Sequence, residues 1–240
     1  MSDNAHMTSG ETCTHEEGAC ASCGTSGCSQ REAASTTLPQ QDDLSRTLDQ
    51  IRHTIIVLSG KGGVGKSTVA VNTAVGLAAE GHRVGLLDVD IHGPSIPTML
   101  GIHNARLESI GEKLLPLRVA GIEVVSIGLL LESKDDALIW RGPMKAGVIK
   151  QFLADVEWGP LDYLVVDCPP GTGDEPLSII QLLPARRHAL VVTTPQEVAA
   201  ADVRKSLNFC TKLQLPVLGV VENMSGFVCP HCQTVTEIFR

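Results

Sequence analysis

Apolar positions along the chain gather into short, nearly continuous runs at residues 54–59, 83–87, 161–167, 189–194 and 217–221. Runs this short, rich in Val, Ile and Leu, read as strands, those at 83–87 and 189–194 as buried ones. Residues 69–78 and 199–213 carry a helical period instead; Gly81 ends the first helix, and Lys205 and Lys212 fall on the solvent side of the second. A further helix opens at 140–144, where Pro143 suits a first turn, and runs to about residue 156. Residues 114–119 and 122–127 flank Ala120-Gly121 and predict a hairpin or two short strands. Residues 43–52 predict a short helix leading into the first strand. Strands alternating with helices predict an α/β fold, a doubly wound, mostly parallel sheet.

The chemistry sits where those strands end. The run at 54–59 passes directly into Gly60-Lys61-Gly62-Gly63-Val64-Gly65-Lys66-Ser67-Thr68 and then into a helix, which is the context a P-loop requires. Glycines let backbone N–H groups close on phosphate oxygens, and the following helix adds the positive end of its dipole. Lys66 then reaches the β- and γ-phosphates and Ser67 offers a hydroxyl to Mg²⁺. Lys61 is not required by this motif; it is either a solvated cation or a charge aimed at a nucleotide. Asp88 and Asp90 end the second run, in the crevice where such sheets bind ligands, and either can hold Mg²⁺ through water or orient an attacking water. Asp167 ends the third run in the Walker B manner, before Cys168-Pro169-Pro170-Gly171-Thr172-Gly173-Asp174, a turn able to sense a γ-phosphate. Asn223 follows the last run and fits an adenine contact or plain turn chemistry equally. Arg141 fits a phosphate or interface contact as well as an ordinary surface position.

Composition divides the chain. Residues 1–50 hold eight acids and two bases, with little apolar content before Leu38, and read as an acidic, Cys-rich, disordered extension. Residues 51–240 form the P-loop domain and are nearly neutral, without a block of basic residues, which argues against nucleic acid as a partner. The sequence has neither a signal-peptide pattern nor a long uncharged apolar run, so no membrane association and a cytoplasmic location are expected.

In such a compartment eight cysteines are metal ligands or thiols rather than disulfides. Cys13, Cys20, Cys23 and Cys28 are dense enough to close round one Zn²⁺ or one cubic iron–sulfur cluster. Cys229 and Cys232 supply only two of the four ligands a tetrahedral site wants. A two-fold homodimer would complete it, and this reading is better than a redox dithiol, which belongs at a helix start. Cys168 reads as a small packed residue and Cys210 as a mid-helix position.

Together these motifs resemble the Mrp/ApbC/Nbp-type iron–sulfur cluster carrier ATPases, P-loop proteins with a deviant Walker A lysine related to MinD, ParA and the nitrogenase iron protein. The resemblance spans roughly residues 50–240. It implies a Mg-dependent ATPase that assembles 4Fe–4S clusters and transfers them to apo-proteins. It also implies that Lys61 crosses a dimer interface to the partner's nucleotide, that Asp90 positions the attacking water, and that Asn223 contacts adenine. Cys229 and Cys232 match the ligands of a bridging 4Fe–4S cluster, and the N-terminal cysteines resemble the Nbp-type branch. The family pattern continues past the C-x-x-C with a strand and a helix, whereas this sequence stops at Arg240; without that strand a sheet edge is left exposed. The competing expectation is a MinD- or ParA-like positioning ATPase whose cysteines bind structural zinc.

Overall fold

A computed structural model describes residues 39–90, 93–111, 113–130 and 142–237. Helix α1 (Pro39–Asp49) begins at its proline, where a missing N–H costs nothing, and gives way to β1 (Ile51–Ser59). The helix expected at 43–52 is thus shifted toward the amino end, because the apolar run of β1 already starts at Ile51. There follow α2 (Lys66–Ala79), β2 (Val84–Asp88), α3 (Ile96–Met99), a small hairpin of β3 (Glu108–Ile110) and β4 (Lys113–Leu115), then β5 (Leu117–Val119) and β6 (Ile122–Ser126). Residues 114–119 do not form one strand: Pro116, which has no N–H to donate, divides β4 from β5. Beyond them lie α4 (Gly142–Asp155), β7 (Leu161–Asp167), α5 (Asp174–Leu182), β8 (Arg187–Thr193), α6 (Glu197–Lys212), β9 (Val217–Glu222) and a second hairpin, β10 (Phe227–Val228) with β11 (Val235–Thr236).

Among the described residues seven strands form one sheet in the order β5-β6-β2-β7-β1-β8-β9. All neighbours run parallel except β5, which turns back on β6 through Ala120-Gly121. The central strands are buried on both faces. Ile56, Leu58, Leu164 and Val166 point into a core shared with α1, α4, α5 and α6. Ile55, Val57 and Val165 point the other way, onto Ala70, Val71 and Ala74 of α2. Parallel register brings the carboxyl ends of β1, β2, β7 and β8 level: Asp88 pairs with Asp167, and Ser59 with Val192. The end-of-strand residues therefore share one rim.

Leu44 and Leu48 of α1 are 8 % and 5 % exposed and belong to the same core as α4, so the compact unit starts at Leu38. At the other edge, β9 exposes Val217, Leu218 and Val220. Replacing Leu48 by Ala is expected to destabilise the chain by about 2–5 kcal/mol, the range for emptying a buried leucine site. Urea titration checks it, and an unmoved midpoint would mean that α1 is not docked.

Candidate functional site: a phosphate cradle and an exposed cysteine pair

Between β1 and α2 the chain makes a turn that only glycines accommodate at two positions. Gly63 and Gly65 have φ of 79° and 83°, and a Cβ on Gly65 would lie 2.2 Å from Asn223 Nδ2. Nothing lies within 4 Å of a Cβ built on Gly62 or Gly63, so that side of the loop is open. It opens onto a cavity of about 350 Å³ lined by glycines 62, 63 and 65, by Lys66, Ser67, Thr68 and Asp90, and by Ser95, Met99 and Pro170 across from them. The first turn of α2 carries no acid, so its positive end faces the cavity uncompensated. This is a built anion site.

A larger cavity, about 670 Å³, lies at the opposite, amino ends of β2, β6 and β7 around Trp158 and Leu161. Its arginines are already engaged, Arg118 with Glu123 at 2.9 Å and Arg83 with Asp162 at 3.3 Å, and none of the strand-end acids reaches it. Size alone does not locate the chemistry.

Lys66 is 6 % exposed, and its Nζ donates to Asp167 Oδ1 at 2.6 Å, stands 3.9 Å from Asp90 Oδ2 and 3.4 Å from Ser67 Oγ. Asp167 Oδ2 is buried without a hydrogen-bond partner. Burial pushes the Asp167 carboxyl up, against the pull of Lys66 and Ser67. Its neighbour Asp88 is raised from 3.8 to about 7, by burial first and then by the Asp167 carboxylate, although Ser126 donates to it at 2.8 Å and the Asp90 N–H at 3.2 Å. Two adjacent strand-end acids, one with an orphaned oxygen, beside the Ser67 hydroxyl form an oxygen donor set suited to a hard divalent cation such as Mg²⁺.

Lys61 does not line the cavity; its Nζ donates to Gln196 Oε1 at 2.7 Å. Asn223 Nδ2 donates to the Val64 carbonyl at 3.0 Å, so β9 is tied to the loop from below. The structure thus gathers Gly60, Gly62, Gly63, Gly65, Lys66, Ser67, Thr68, Asp88, Asp90, Asp167 and Asn223 at one rim. Cys229 and Cys232 lie apart, in the loop that joins β10 to β11. Cys232 is exposed, and its Sγ lies 3.2 Å from Thr234 Oγ1, whose hydrogen bonding holds the thiol below the usual range. No group of three His, Cys, Asp or Glu able to hold a metal occurs among the described residues, so this pair has no third ligand there. Cys168 and Cys210 are buried, and burial pushes both thiols up, which makes them inert packing residues. Cys13, Cys20, Cys23, Cys28 and Arg141 lie outside the described residues.

Sequence reasoning missed Ser126, Gln196 and Thr234. Ser126 could have been found, because it ends β6 in register with Asp88. Gln196 follows β8 at the same rim, but an uncharged amide there gives no signal until a lysine is seen to reach it.

The sheet, the strand-end acids and the cradle define a P-loop NTPase. The chain belongs to the family described as ParA, NUBPL iron-transfer P-loop NTPase, which matches residues 50–240. Among its relatives, a cytosolic Fe-S cluster assembly factor, Nubp2 homolog, of Anopheles gambiae is 52% identical over 80% of this chain and 76% of its own length. An iron-sulfur cluster carrier protein of Methanocaldococcus jannaschii is 51% identical over 84% of this chain and 70% of its own. Among solved structures, a nucleotide-binding protein of Archaeoglobus fulgidus in complex with ADP superposes with a TM-score of 0.72 at 44% identity, covering 82% of this chain and 77% of that one. The cell division ATPase MinD of Pyrococcus furiosus, at 24% identity and a TM-score of 0.51, shares the fold. Among the described residues no helix is long and apolar enough to cross a membrane.

The raised Asp88 gives a pH signature. Between pH 4 and 7 the folded chain keeps a proton that the unfolded chain has released, so stability falls as pH rises through that window and levels off above it. In chelator and without nucleotide, Asp88→Asn should match the wild type near pH 4 and exceed its stability by on the order of 2–4 kcal/mol above pH 7. Urea unfolding across the range checks it; parallel curves would overturn the assignment.

Proposed function

We propose that this chain is a cytosolic ATPase that carries 4Fe–4S clusters and delivers them to apo-proteins, working as a homodimer. The observation that carries the reading is the cysteine half-site: two thiols of the loop beyond β9, without a third ligand among the described residues, in a chain whose β9 is bonded to the phosphate loop. The relatives' names support it: an assembly factor and a cluster carrier at about half identity.

In this reading ATP phosphates enter the cradle and draw Lys66 away from Asp167, exchanging one carboxylate for several phosphate oxygens. Asp167, Asp88 and the Ser67 hydroxyl would hold Mg²⁺, which when bound would supply positive charge to the phosphate groups. Asp90, on the cavity wall near Lys66, orients the attacking water. Lys61 from one chain reaches the nucleotide of the other and adds positive charge where the leaving phosphate gathers negative charge. Asn223 reads the adenine edge once the loop is filled. The cluster is cargo: Cys229 and Cys232 of two chains supply its four thiolates across a two-fold axis. The acidic extension offers four more thiols, Cys13, Cys20, Cys23 and Cys28, for a second cluster. A thiol already lowered at Cys232 releases its proton to solvent readily and so offers a thiolate to a metal centre.

Nucleotide dependence is the direct test. Cluster transfer to an acceptor apo-protein should change several-fold with ATP in the wild type and not respond in Lys66→Ala; equal rates with and without ATP in both would sink the proposal. A second measurement separates the two cysteine sets. After anaerobic reconstitution, Cys229→Ala should lose the iron and sulfide of the bridging site and Cys20→Ala only those of the extension. A colourless protein holding stoichiometric zinc would favour the positioning ATPase instead.

A further inference from the structure

We propose that Gln196 is a positioning residue that holds Lys61 back against its own chain until a second chain's nucleotide arrives. The inference rests on the two-chain role given to Lys61 above and adds the device that restrains it.

Lys61 stands at the start of the phosphate loop yet takes no part in the cavity wall; its ammonium is bonded across 135 residues of sequence to the Gln196 amide oxygen at 2.7 Å. The residue that receives it is placed to do so. Gln196 is the N-cap of α6, with extended backbone (φ −73°, ψ 137°) and no side-chain cap bond. A Ser, Asp or Asn here would turn its oxygen back onto the helix N–H groups. Gln196 leaves that to its backbone, whose carbonyl accepts from Ala199 N at 2.9 Å, and sends its longer side chain to Lys61. The loop cannot shift away from α6 without losing this contact, because it is already pressed onto that helix: a Cβ on Gly60 would lie 2.6 Å from Asp202 Cβ. Gly60 and Lys61 are therefore both held on α6.

The chemistry of the acceptor fits a restraint that must let go. A neutral amide gives an ammonium one charge-assisted hydrogen bond without cancelling its charge. A polyanionic phosphate offers a stronger partner and displaces it. A carboxylate at this position would form an ion pair, and release would then cost far more. The restraint reduces the fraction of chains with a free Lys61 and so weakens the nucleotide-dependent dimer by that fraction.

Sedimentation equilibrium with Mg²⁺ and a non-hydrolysable ATP analogue tests this in six chains: wild type, Gln196→Ala, Gln196→Glu, Lys61→Ala, and each Gln196 substitution combined with Lys61→Ala. Gln196→Ala should tighten the dimer by about ten- to a hundred-fold, the size of one hydrogen bond to a charged group, and Gln196→Glu should loosen it by a similar factor. In the Lys61→Ala background both substitutions should lose their effect, which a purely structural role at the start of α6 would not produce. An unchanged or weaker dimer in Gln196→Ala, or an effect that survives loss of Lys61, overturns the restraint while leaving the dimer intact. A wild-type chain that stays monomeric, or dimerises equally well as Lys61→Ala, overturns the two-chain reading of Lys61 and the restraint with it.

Discussion

The buried pair of Lys66 and Asp167 is the interaction on which the site depends. The two side chains are 7 % and 1 % exposed, from a helix start and a strand end that are adjacent only because β1 and β7 are paired in register. Neither charge could be left alone at that depth. Their attraction is not an efficient way to stabilise a fold, since desolvation consumes most of it. It does hold both groups in place in the absence of nucleotide. The lysine rests on one oxygen of the acid, and the other oxygen stays unsatisfied. The surrounding geometry follows: glycines at positive φ that bring the loop close, α2 aimed at the cavity, and Asp88 raised by the charge next to it.

Much of this was legible in the sequence because the relevant signals are local. Strands of a parallel sheet are runs of Val, Ile and Leu, and β1, β2, β7, β8 and β9 all lie where such runs occur, although β9, at the edge, is exposed. The cradle was legible because its glycines are set by backbone geometry, and Asp88, Asp90 and Asp167 because strand ends in a parallel sheet converge. The errors are local as well: α1 starts earlier than its polar residues suggest, and Pro116 breaks a stretch that hydrophobicity alone joins. The helical pattern also gave no sign that Leu44 and Leu48 would be core residues rather than part of the extension.

What was not legible is pairing at long range. Nothing near Lys61 announces Gln196, and nothing near Asn223 says that its amide nitrogen will face the Val64 carbonyl, 159 residues away. Both depend on β8 lying beside β1 and β9 beside β8, a property of sheet order that hydrophobic runs do not encode. The consequence is mechanical. One flank of the sheet touches the phosphate loop twice, through Gln196 before α6 and Asn223 after β9, and the chain then continues into the hairpin that carries Cys229 and Cys232.

The edge of that flank has a further consequence. Among the described residues β9 has β8 as its only neighbour in the sheet, and its other side presents unpaired backbone with Leu218 56 % and Val220 46 % exposed. An edge of this kind can pair with a further strand through backbone hydrogen bonds, with no need of nucleotide. Contact made there rests on strand pairing and the apolar side chains of Leu218 and Val220, and is indifferent to the charges gathered at the phosphate rim.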